Sequence, residues 1–287
     1  MQLLTTLTDL RDYVQTKHRT TGQSIGLVPT MGALHEGHLA LLASSRAAND
    51  ATVCSIFVNP MQFNNPDDLA RYPRTLEADR AMLDAAGCDA VFAPTAAEMY
   101  PQPPGIRFDF GNLERVMEGR SRPGHFNGVG VVLSKLFHLV QPDRAYFGQK
   151  DLQQCLVVKR LIDDLNFPLE LIICPTHREA DGLAMSSRNR NLTPEQRAAA
   201  SQLYQLLRRA EEELKTHPAA AVQNQMAQEL ADNPNFKLDY FEIADPTTLE
   251  PMTGLLNGQP AAICVAAFLG TTRLIDNLLT APTQAVV

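Results

Sequence analysis

Two histidines three residues apart, His35 and His38, follow an apolar run and a glycine turn in the stretch VPTMGALHEGHLALL. Gly32 and Gly37 let the backbone approach a ligand closely, and the pattern predicts a helix that begins near His35. A helix N-terminus suits a phosphate, and two imidazoles on its first turn could donate hydrogen bonds to phosphoryl oxygens as charge shifts to a leaving pyrophosphate. Two alternatives stay open: a helix cap beside a half-buried core histidine, or a metal pair, although zinc sites favour i, i+4 histidines with a further ligand.

Amide side chains stand after the next apolar run, where Asn59 and Gln62 lie in VNPMQF. Because an amide donates and accepts at once, this pair suits a substrate that carries hydroxyls and a carboxylate. The alternative is a proline-bracketed turn in which Asn59 only stabilises the backbone. Further on, Asp79 could hold a magnesium ion, although a lone helical aspartate is more often simply exposed.

Cationic side chains occupy two later loops of this acidic chain. Arg120, Arg122 and His125 lie in a glycine- and proline-containing loop, where they could hold an anion or be ordinary surface charges. Lys150 lies at a predicted helix start and can place its charge on a phosphate. The neighbouring Asp151 could cap that helix, or reach a ribose hydroxyl or a metal.

A last polar cluster, Ser186, Ser187 and Arg188, lies in the loop DGLAMSSRN. Hydroxyls beside a guanidinium form a suitable phosphate clamp, and a loop between domains can move. Each cluster is weak alone, but four of them follow predicted strands.

Those strands are short apolar runs bounded by proline, glycine or asparagine, with helical patterns between them. They span residues 24–30, 51–58, 89–94, 144–148 and 169–175. Alternating strands and helices predict an α/β fold, a parallel sheet with helices on both faces. Because ligands bind at the carboxyl ends of such strands, the polar clusters lie where a site is expected.

The pattern changes after Pro175, which predicts two domains, 1–176 and 177–287, the second a smaller α+β domain. A long helix over 192–217 opens with Thr193 as N-cap and Pro194 at the first helical position. A second helix over 220–233 and strands over 237–245 and 261–270 follow.

Composition excludes several function classes. The 287 residues carry a net charge of −7, which provides no basic field to attract nucleic acid or anionic lipid. Five scattered cysteines without a CxxC pair argue against a disulfide framework or structural zinc. With no signal-peptide pattern and no long apolar run, we expect a cytoplasmic protein with no membrane partner.

Five blocks, PTMGALHEGH, FVNPMQF, RPGHFNGV, FGQKD with QQ, and DGLAMSSRN, follow one another over almost the whole chain. In this order they resemble the pantothenate synthetase (pantoate–β-alanine ligase) family. That family belongs to the nucleotidyltransferases with a Rossmann-like fold and an HxGH motif. The HxGH motif identifies only the superfamily, whereas the other four blocks are far more specific.

The resemblance implies a two-step reaction. Pantoate attacks the α-phosphate of ATP to give pantoyl adenylate and pyrophosphate, and the amine of β-alanine then displaces AMP to give pantothenate. It further implies a homodimer. The chemistry of ATP implies that Mg²⁺ accompanies it, and the acidic balance without a basic stripe counts against a nucleic-acid partner.

The resemblance also assigns residues to ATP. His38 corresponds to the family's proton donor, and His35, Lys150 and Arg188 are expected to stabilise phosphate charge with it. His177 falls where the family usually contacts adenine through its main chain, often from a valine. The full set expected to bind ATP is Met31, Gly32, Ala33, Leu34, His35, Glu36, Gly37, His38, Gly148, Gln149, Lys150, Asp151, His177, Met185, Ser186, Ser187 and Arg188.

For the other two substrates, the resemblance implies that Gln62 and Gln154 bind pantoate, with Gln62 also near β-alanine. Asn59 supports these glutamines. We place Arg122 and His125 with the pantoate and β-alanine contacts and, as a separate hypothesis, Asp79 with the metal.

Two other functions remain as alternatives. One is another HxGH adenylyltransferase that acts on a different small acceptor. The other is a non-catalytic nucleotide-binding module.

Overall fold

The computed structural model describes residues 1–280 of the chain. The chain divides into two compact units. The first contains Met1–Gly148 and Gln154–Cys174, and the second contains Gln149–Gln153 and residues 175–280. Within residues 1–280, no helix is both long enough and apolar enough to cross a membrane.

A six-stranded sheet forms the middle of the first unit, with strands β1 (Gln2–Leu4), β2 (Ile25–Thr30), β3 (Ala51–Ile56), β4 (Ala90–Phe92), β5 (Arg144–Gly148) and β6 (Glu170–Cys174). They lie in the order β1-β4-β3-β2-β5-β6, and all neighbours are parallel. Alternate side chains enter different cores: Leu27 and Val53 belong to one apolar cluster, Val28 and Cys54 to another. Burial on both faces explains the continuous apolar runs and confirms the predicted parallel sheet.

The chain reverses its direction across the sheet at β2. Strands β3 and β4 lie on one side of β2, whereas β5 and β6 lie on the other. The carboxyl ends of β2 and β5 therefore border a topological switch point, where open parallel sheets of this kind bind their ligands.

Eight α-helices lie between residues 7 and 165: α1 (Leu7–Gln15), α2 (Glu36–Ala48), α3 (Pro66–Arg71), α4 (Leu76–Ala85), α5 (Ala96–Met99), α6 (Met117–Ser121), α7 (His125–Val140) and α8 (Leu152–Leu165). Helix α1 opens with a capping box in which Thr6 and Asp9 bond each other's backbone N–H. Helix α7 is the most apolar of them, and its Phe126, Leu133 and Phe137 pack in the same core as Leu27.

The second unit is an antiparallel sheet packed against helices, with its own apolar core. Its elements are α9 (Pro194–Ala200), α10 (Gln202–Glu213), α11 (Ala219–Asp232), β7 (Lys237–Ala244), β8 (Ala262–Leu269) and β9 (Thr272–Leu279). Thr193 caps α9 through a capping box with Gln196, which confirms the predicted helix start.

Three details differ from the sequence predictions. The short β1 and the final β9 were not predicted, because β1 has only three residues and β9 interrupts its apolar residues with a charged and amide pair and so lacks strict alternation. The helix predicted over 192–217 is two helices that meet at Ser201, whose hydroxyl lies 3.4 Å from the carbonyl of Ala198. A serine that bonds a preceding carbonyl competes with regular helical hydrogen bonding.

Candidate active site

The two histidines cap helix α2 for each other. His35 is the N-cap residue, and its Nδ1 accepts from the backbone N–H of Gly37 at 3.1 Å. In return, Nδ1 of His38 accepts from the backbone N–H of His35 at 3.3 Å, and the ring centroids lie 4.1 Å apart. A nitrogen that accepts a backbone proton carries none itself, so the proton of each neutral imidazole is on Nε2. The pair therefore provides a helix cap and two Nε2–H donors.

Left-handed backbone conformations shape the loop between β2 and α2. Gly32 has φ +82° and Ala33 has φ +51°, so two consecutive residues turn the chain sharply before His35. A side chain at position 32 would also be crowded by the carboxylate of Asp79, because a Cβ there would lie 3.0 Å from Oδ2. Both conformation and space thus favour glycine at position 32.

Asp79 holds this loop from helix α4. Its side chain is buried, and its Oδ2 and Oδ1 accept from the backbone N–H groups of Ala33 at 3.0 Å and Leu34 at 2.8 Å. The hydroxyl of Thr75 donates to Oδ2 at 3.1 Å. A carboxylate with three protein donors is suited to fixing the backbone. In residues 1–280 no group of three His, Cys, Asp or Glu side chains could hold a metal ion. The magnesium role of Asp79 stays a prediction that this geometry does not favour.

Replacing Asp79 with alanine is expected to destabilise the first unit. The change leaves two buried N–H groups without their acceptor, at a cost of about 3 kcal/mol in free energy of unfolding. Thr75→Val is the matched control, since it removes one donor and keeps both loop bonds, and should cost only about 1 kcal/mol. Urea unfolding measures both variants. Equal midpoints for Asp79→Ala and the parent chain would contradict the role assigned to Asp79.

Asn59 directs all its hydrogen bonds toward protein groups. Its Nδ2 donates to Gln62 Oε1 at 3.1 Å and to the carbonyl of Gly128 at 3.0 Å. Its Oδ1 accepts from the backbone N–H of Met61 at 3.3 Å and from the Tyr100 hydroxyl at 2.9 Å. Burial raises the pKa of Tyr100, so this hydroxyl keeps its proton. Asn59 thus orients the side chain of Gln62.

Helix α7 packs tightly against the turn that carries Gln62. A Cβ at position 128 would lie 2.3 Å from the carbonyl oxygen of Met61, so only glycine fits there. On the same helix, Nδ1 of His125 lies 2.9 Å from the carbonyl of Gln62, and Nε2 lies 3.2 Å from Nη1 of Arg122. A carbonyl only accepts and a guanidinium only donates, so Nδ1 carries the proton of His125. Asn59, Gln62, Arg122 and His125 therefore form one connected polar group.

Gln154 lies in the first turns of α8 and is half-buried. Arg120 is exposed on α6.

In the second unit, Lys150 belongs to a single 3₁₀ turn, Gln149–Asp151. Its Nζ lies 3.7 Å from Oδ1 of Asp151, and its side chain is only 17% exposed. Asn277 of β9 donates to the carbonyls of Gln149 at 2.9 Å and Lys150 at 2.8 Å. A strand near the end of the chain thus fixes the backbone of the lysine.

The loop that contains Ser186 and Ser187, called the serine loop below, begins with an antiparallel bridge between Arg178 and Ala184. It ends in a 3₁₀ helix, Ser187–Asn191. The N–H of Met185 donates to the carbonyl of exposed His177 at 2.9 Å. Ser186 caps the 3₁₀ helix by accepting from the N–H of Arg188 at 3.2 Å. Ser187 and Arg188 follow, both half-buried.

Three charged side chains brace this serine loop. Arg197 lies 2.6 Å from carboxylate oxygens of both Glu179 and Asp181. Glu179 also accepts from Nδ2 of Asn189 at 2.9 Å. The carboxylates raise the pKa of Arg197, and the guanidinium holds the pKa of Asp181 below its usual range.

A protein-family model described as pantoate-beta-alanine ligase matches residues 2–279. The chain belongs to this family.

Relatives in the pantoate–β-alanine ligase family match the chain nearly end to end. Pantothenate synthetase of Moorella thermoacetica is 51% identical over 281 residues, 97% of this chain and 98% of the relative. The corresponding protein of Koribacter versatilis is 49% identical over 281 residues, 97% of this chain and 96% of the relative.

Two solved pantoate–β-alanine ligases have the same fold. Pantothenate synthetase from Thermus thermophilus superposes with a TM-score of 0.91 at 45% identity, covering 98% of this chain and 100% of that one. A pantoate–β-alanine ligase from Francisella tularensis, complexed with beta-gamma ATP and β-alanine, has a TM-score of 0.81 at 33% identity and covers 98% of both chains.

Sequence reasoning did not find several residues that organise this pantoate–β-alanine ligase. Tyr100, Asn277 and the pair Arg178 and Asp276 lie outside the five motif blocks. Tyr100 and Asn277 contact motif residues 41 and 127 positions away. No local spacing indicates such contacts, although a buried aspartate in a strand such as β9 would be a signal once the strand is known.

Proposed function

We propose that this chain condenses pantoate with β-alanine to form pantothenate, with conversion of ATP to AMP and pyrophosphate. The observation that carries the proposal is the mutual capping of His35 and His38 in a chain of the ligase family. It places the proton of each neutral imidazole on Nε2, in the loop that follows the carboxyl end of β2. Such donors suit charge that develops on phosphate oxygens.

In the proposed first step, a carboxylate oxygen of pantoate attacks the α-phosphorus of ATP. The bond from that phosphorus to the bridging oxygen breaks, and its electron pair leaves with pyrophosphate. His35 and His38 stabilise the growing negative charge through Nε2–H. The loop Met31–His38 supports them because Asp79 fixes its backbone.

In the proposed second step, the amine of β-alanine attacks the acyl carbon of pantoyl adenylate. The bond to the phosphate oxygen breaks, AMP leaves, and the nitrogen loses a proton. Gln62 and Gln154 hold pantoate, while Asn59 orients Gln62. Arg122 provides guanidinium donors for a substrate carboxylate, and His125 orients that guanidinium by accepting from Nη1 of Arg122. Neither step needs a covalent enzyme intermediate, because the adenylate already carries a good leaving group.

Lys150 and the serine loop contribute charge for the triphosphate in this proposal. Lys150 places an ammonium on the phosphates, and Gly148, Gln149 and Asp151 contact the same nucleotide. Ser186, Ser187 and Arg188 supply two hydroxyls and a guanidinium, and Met185 precedes them. His177 contacts adenine through its main chain.

Magnesium enters the proposal as part of the MgATP substrate, where it neutralises charge on the leaving phosphates. Asp79 is a poor candidate for holding it, since both carboxylate oxygens accept hydrogen bonds from the protein. Asp151 is more accessible, with its side chain 49% exposed.

One assay tests the proposed function. The protein is supplied with ATP, Mg²⁺ and pantoate, and pyrophosphate is measured with and without β-alanine. We expect a single burst of pyrophosphate without β-alanine and continuous turnover to AMP and pantothenate with it. Pyrophosphate only with some other acceptor would favour the alternative adenylyltransferase. Nucleotide binding without any turnover would favour the binding module.

Tyr100→Phe is expected to weaken pantoate binding. Asn59 loses the hydroxyl that holds its Oδ1, which costs about 1 kcal/mol, or roughly a fivefold rise in KM for pantoate. Tyr13→Phe is the matched control, because the buried Tyr13 hydroxyl has no hydrogen-bond partner among the described residues. Steady-state kinetics with varied pantoate measures both variants. Equal KM values for the two variants would show that Tyr100 does not act through Asn59.

The homodimer and the cytoplasmic location stay predictions. Light scattering after size-exclusion chromatography measures the first, and fractionation of the producing cells measures the second.

A further inference from the structure

The side chain of Asn277 forms its hydrogen bonds with the turn that contains Lys150. Asn277 is 3% exposed. Its Nδ2 donates to the carbonyls of both Gln149 and Lys150, and its Oδ1 lies 3.4 Å from Nε2 of Gln149. Both protons of one amide therefore hold two consecutive backbone carbonyls.

The turn needs such support, since Gln149–Asp151 is only three residues long. A 3₁₀ turn of this length, here leading directly into α8, has few internal hydrogen bonds to hold it. Binding the two carbonyls fixes the direction of the Lys150 backbone and hence where its side chain begins.

Asn277 is itself held in place by an ion pair. Arg178 contacts the buried carboxylate of Asp276 at 2.6 and 3.0 Å and donates to the carbonyl of Asn277 at 3.2 Å. Its guanidinium also stacks on the ring of Tyr204, with Cζ 3.9 Å from the centroid. A planar guanidinium held on several sides is a rigid support.

We propose that Asn277 is a positioning residue for Lys150, holding the lysine's backbone so that its ammonium meets the phosphates of ATP. This inference rests on the proposed function, in which Lys150 binds those phosphates. The amide is suited to the task because it offers two donors at one point. Alanine offers none, and aspartate would direct a carboxylate at two carbonyls.

The test uses the full chain with Asn277→Ala and, as a variant of nearly unchanged volume, Asn277→Asp. A misplaced Lys150 should raise KM for ATP and slow pyrophosphate release in a single turnover. Together these changes should lower kcat/KM for ATP roughly ten- to a hundredfold. KM for β-alanine should not change. A purely structural role would reduce the active fraction, and so kcat alone. Unchanged kinetics for ATP in a folded variant overturn the inference.

Leu274→Val is the control for stability, because Leu274 is buried in the same strand and packs in the apolar core of the second unit. It should lower the melting temperature and leave KM for ATP unchanged. If Leu274→Val raises KM for ATP as much as Asn277→Ala does, the effect is general loosening and the inference fails.

A double-mutant cycle separates the inference from the proposed function. If Asn277 acts through Lys150, Asn277→Ala should have little further effect on ATP kinetics once Lys150→Met is present. Additive effects overturn the inference while leaving the role of Lys150 intact. If Lys150→Met alone leaves ATP kinetics unchanged, the proposed role of Lys150 fails instead.

Discussion

His38→Ala is expected to lower kcat about a hundredfold or more while the protein still folds. The change removes an Nε2–H donor whose loss in comparable anion sites costs about 3 kcal/mol of transition-state stabilisation. It also removes the acceptor for the backbone N–H of His35, and the loss of such a cap costs about 1 kcal/mol of folding free energy. The rate of pyrophosphate release from ATP and pantoate measures the first effect, and thermal unfolding measures the second.

Two amide variants separate these roles of His38. In His38→Asn, the side-chain oxygen occupies the place of Nδ1 and can still cap His35, so we expect recovered stability and an activity as low as that of the alanine variant. In His38→Gln, the amide nitrogen approximates Nε2 and should restore part of the rate. Near-normal pyrophosphate release from His38→Ala or His38→Asn would contradict the role assigned to this histidine.

Lys150→Met is the second change with a large expected effect. Methionine keeps most of the side-chain stem and removes only the ammonium, so the helix start and the bonds from Asn277 to the turn should persist. Loss of a point charge on the phosphates should lower kcat about a hundredfold or more. Lys150→Ala should behave in the same way, and Lys150→Arg should keep part of the rate because it retains the charge with a different geometry.

Lys159→Met is the matched control for this charge. Lys159 lies on α8, where its Nζ is 3.3 Å from Asp163, and its side chain is 35% exposed. Its replacement should leave pyrophosphate release unchanged, since a surface ion pair contributes little. Similar rate losses at positions 150 and 159 would mean that the overall charge of the protein, and not a local contact, governs the reaction.

Much of the first unit was predictable because its signals are local. Strand β5 has the predicted bounds, and β2 and β3 begin within one residue of the predicted starts. Apolar runs bounded by glycine and proline reflect burial on both faces of a parallel sheet, which depends little on which strands are neighbours. The final β9 was not predicted, because its buried Asp276 is stable there only with Arg178 opposite, a partner 98 positions away.

In the candidate site, too, local signals were predictable and contacts between distant residues were not. The histidine pair was predicted at a helix start. Whether the two side chains cap the helix, coordinate a metal or pack in the core depends on which ring nitrogen accepts from which backbone N–H group. Asp79 was considered for a metal because a lone carboxylate in a helix gives no hint of its partners. In the fold, its partners are two N–H groups more than forty residues away.

The sequence by itself determined the class of fold, the order of the five motif blocks and the chemical types available at each strand end. These are properties of neighbouring residues and of hydrophobic period. Only the tertiary structure decided that Gly128 and Tyr100 hold Asn59, that Asp79 holds the loop Met31–His38 and that Asn277 holds the turn of Lys150. Each of these depends on hydrogen bonds between distant parts of the chain, where satisfying a buried polar group leaves no pattern in the local sequence.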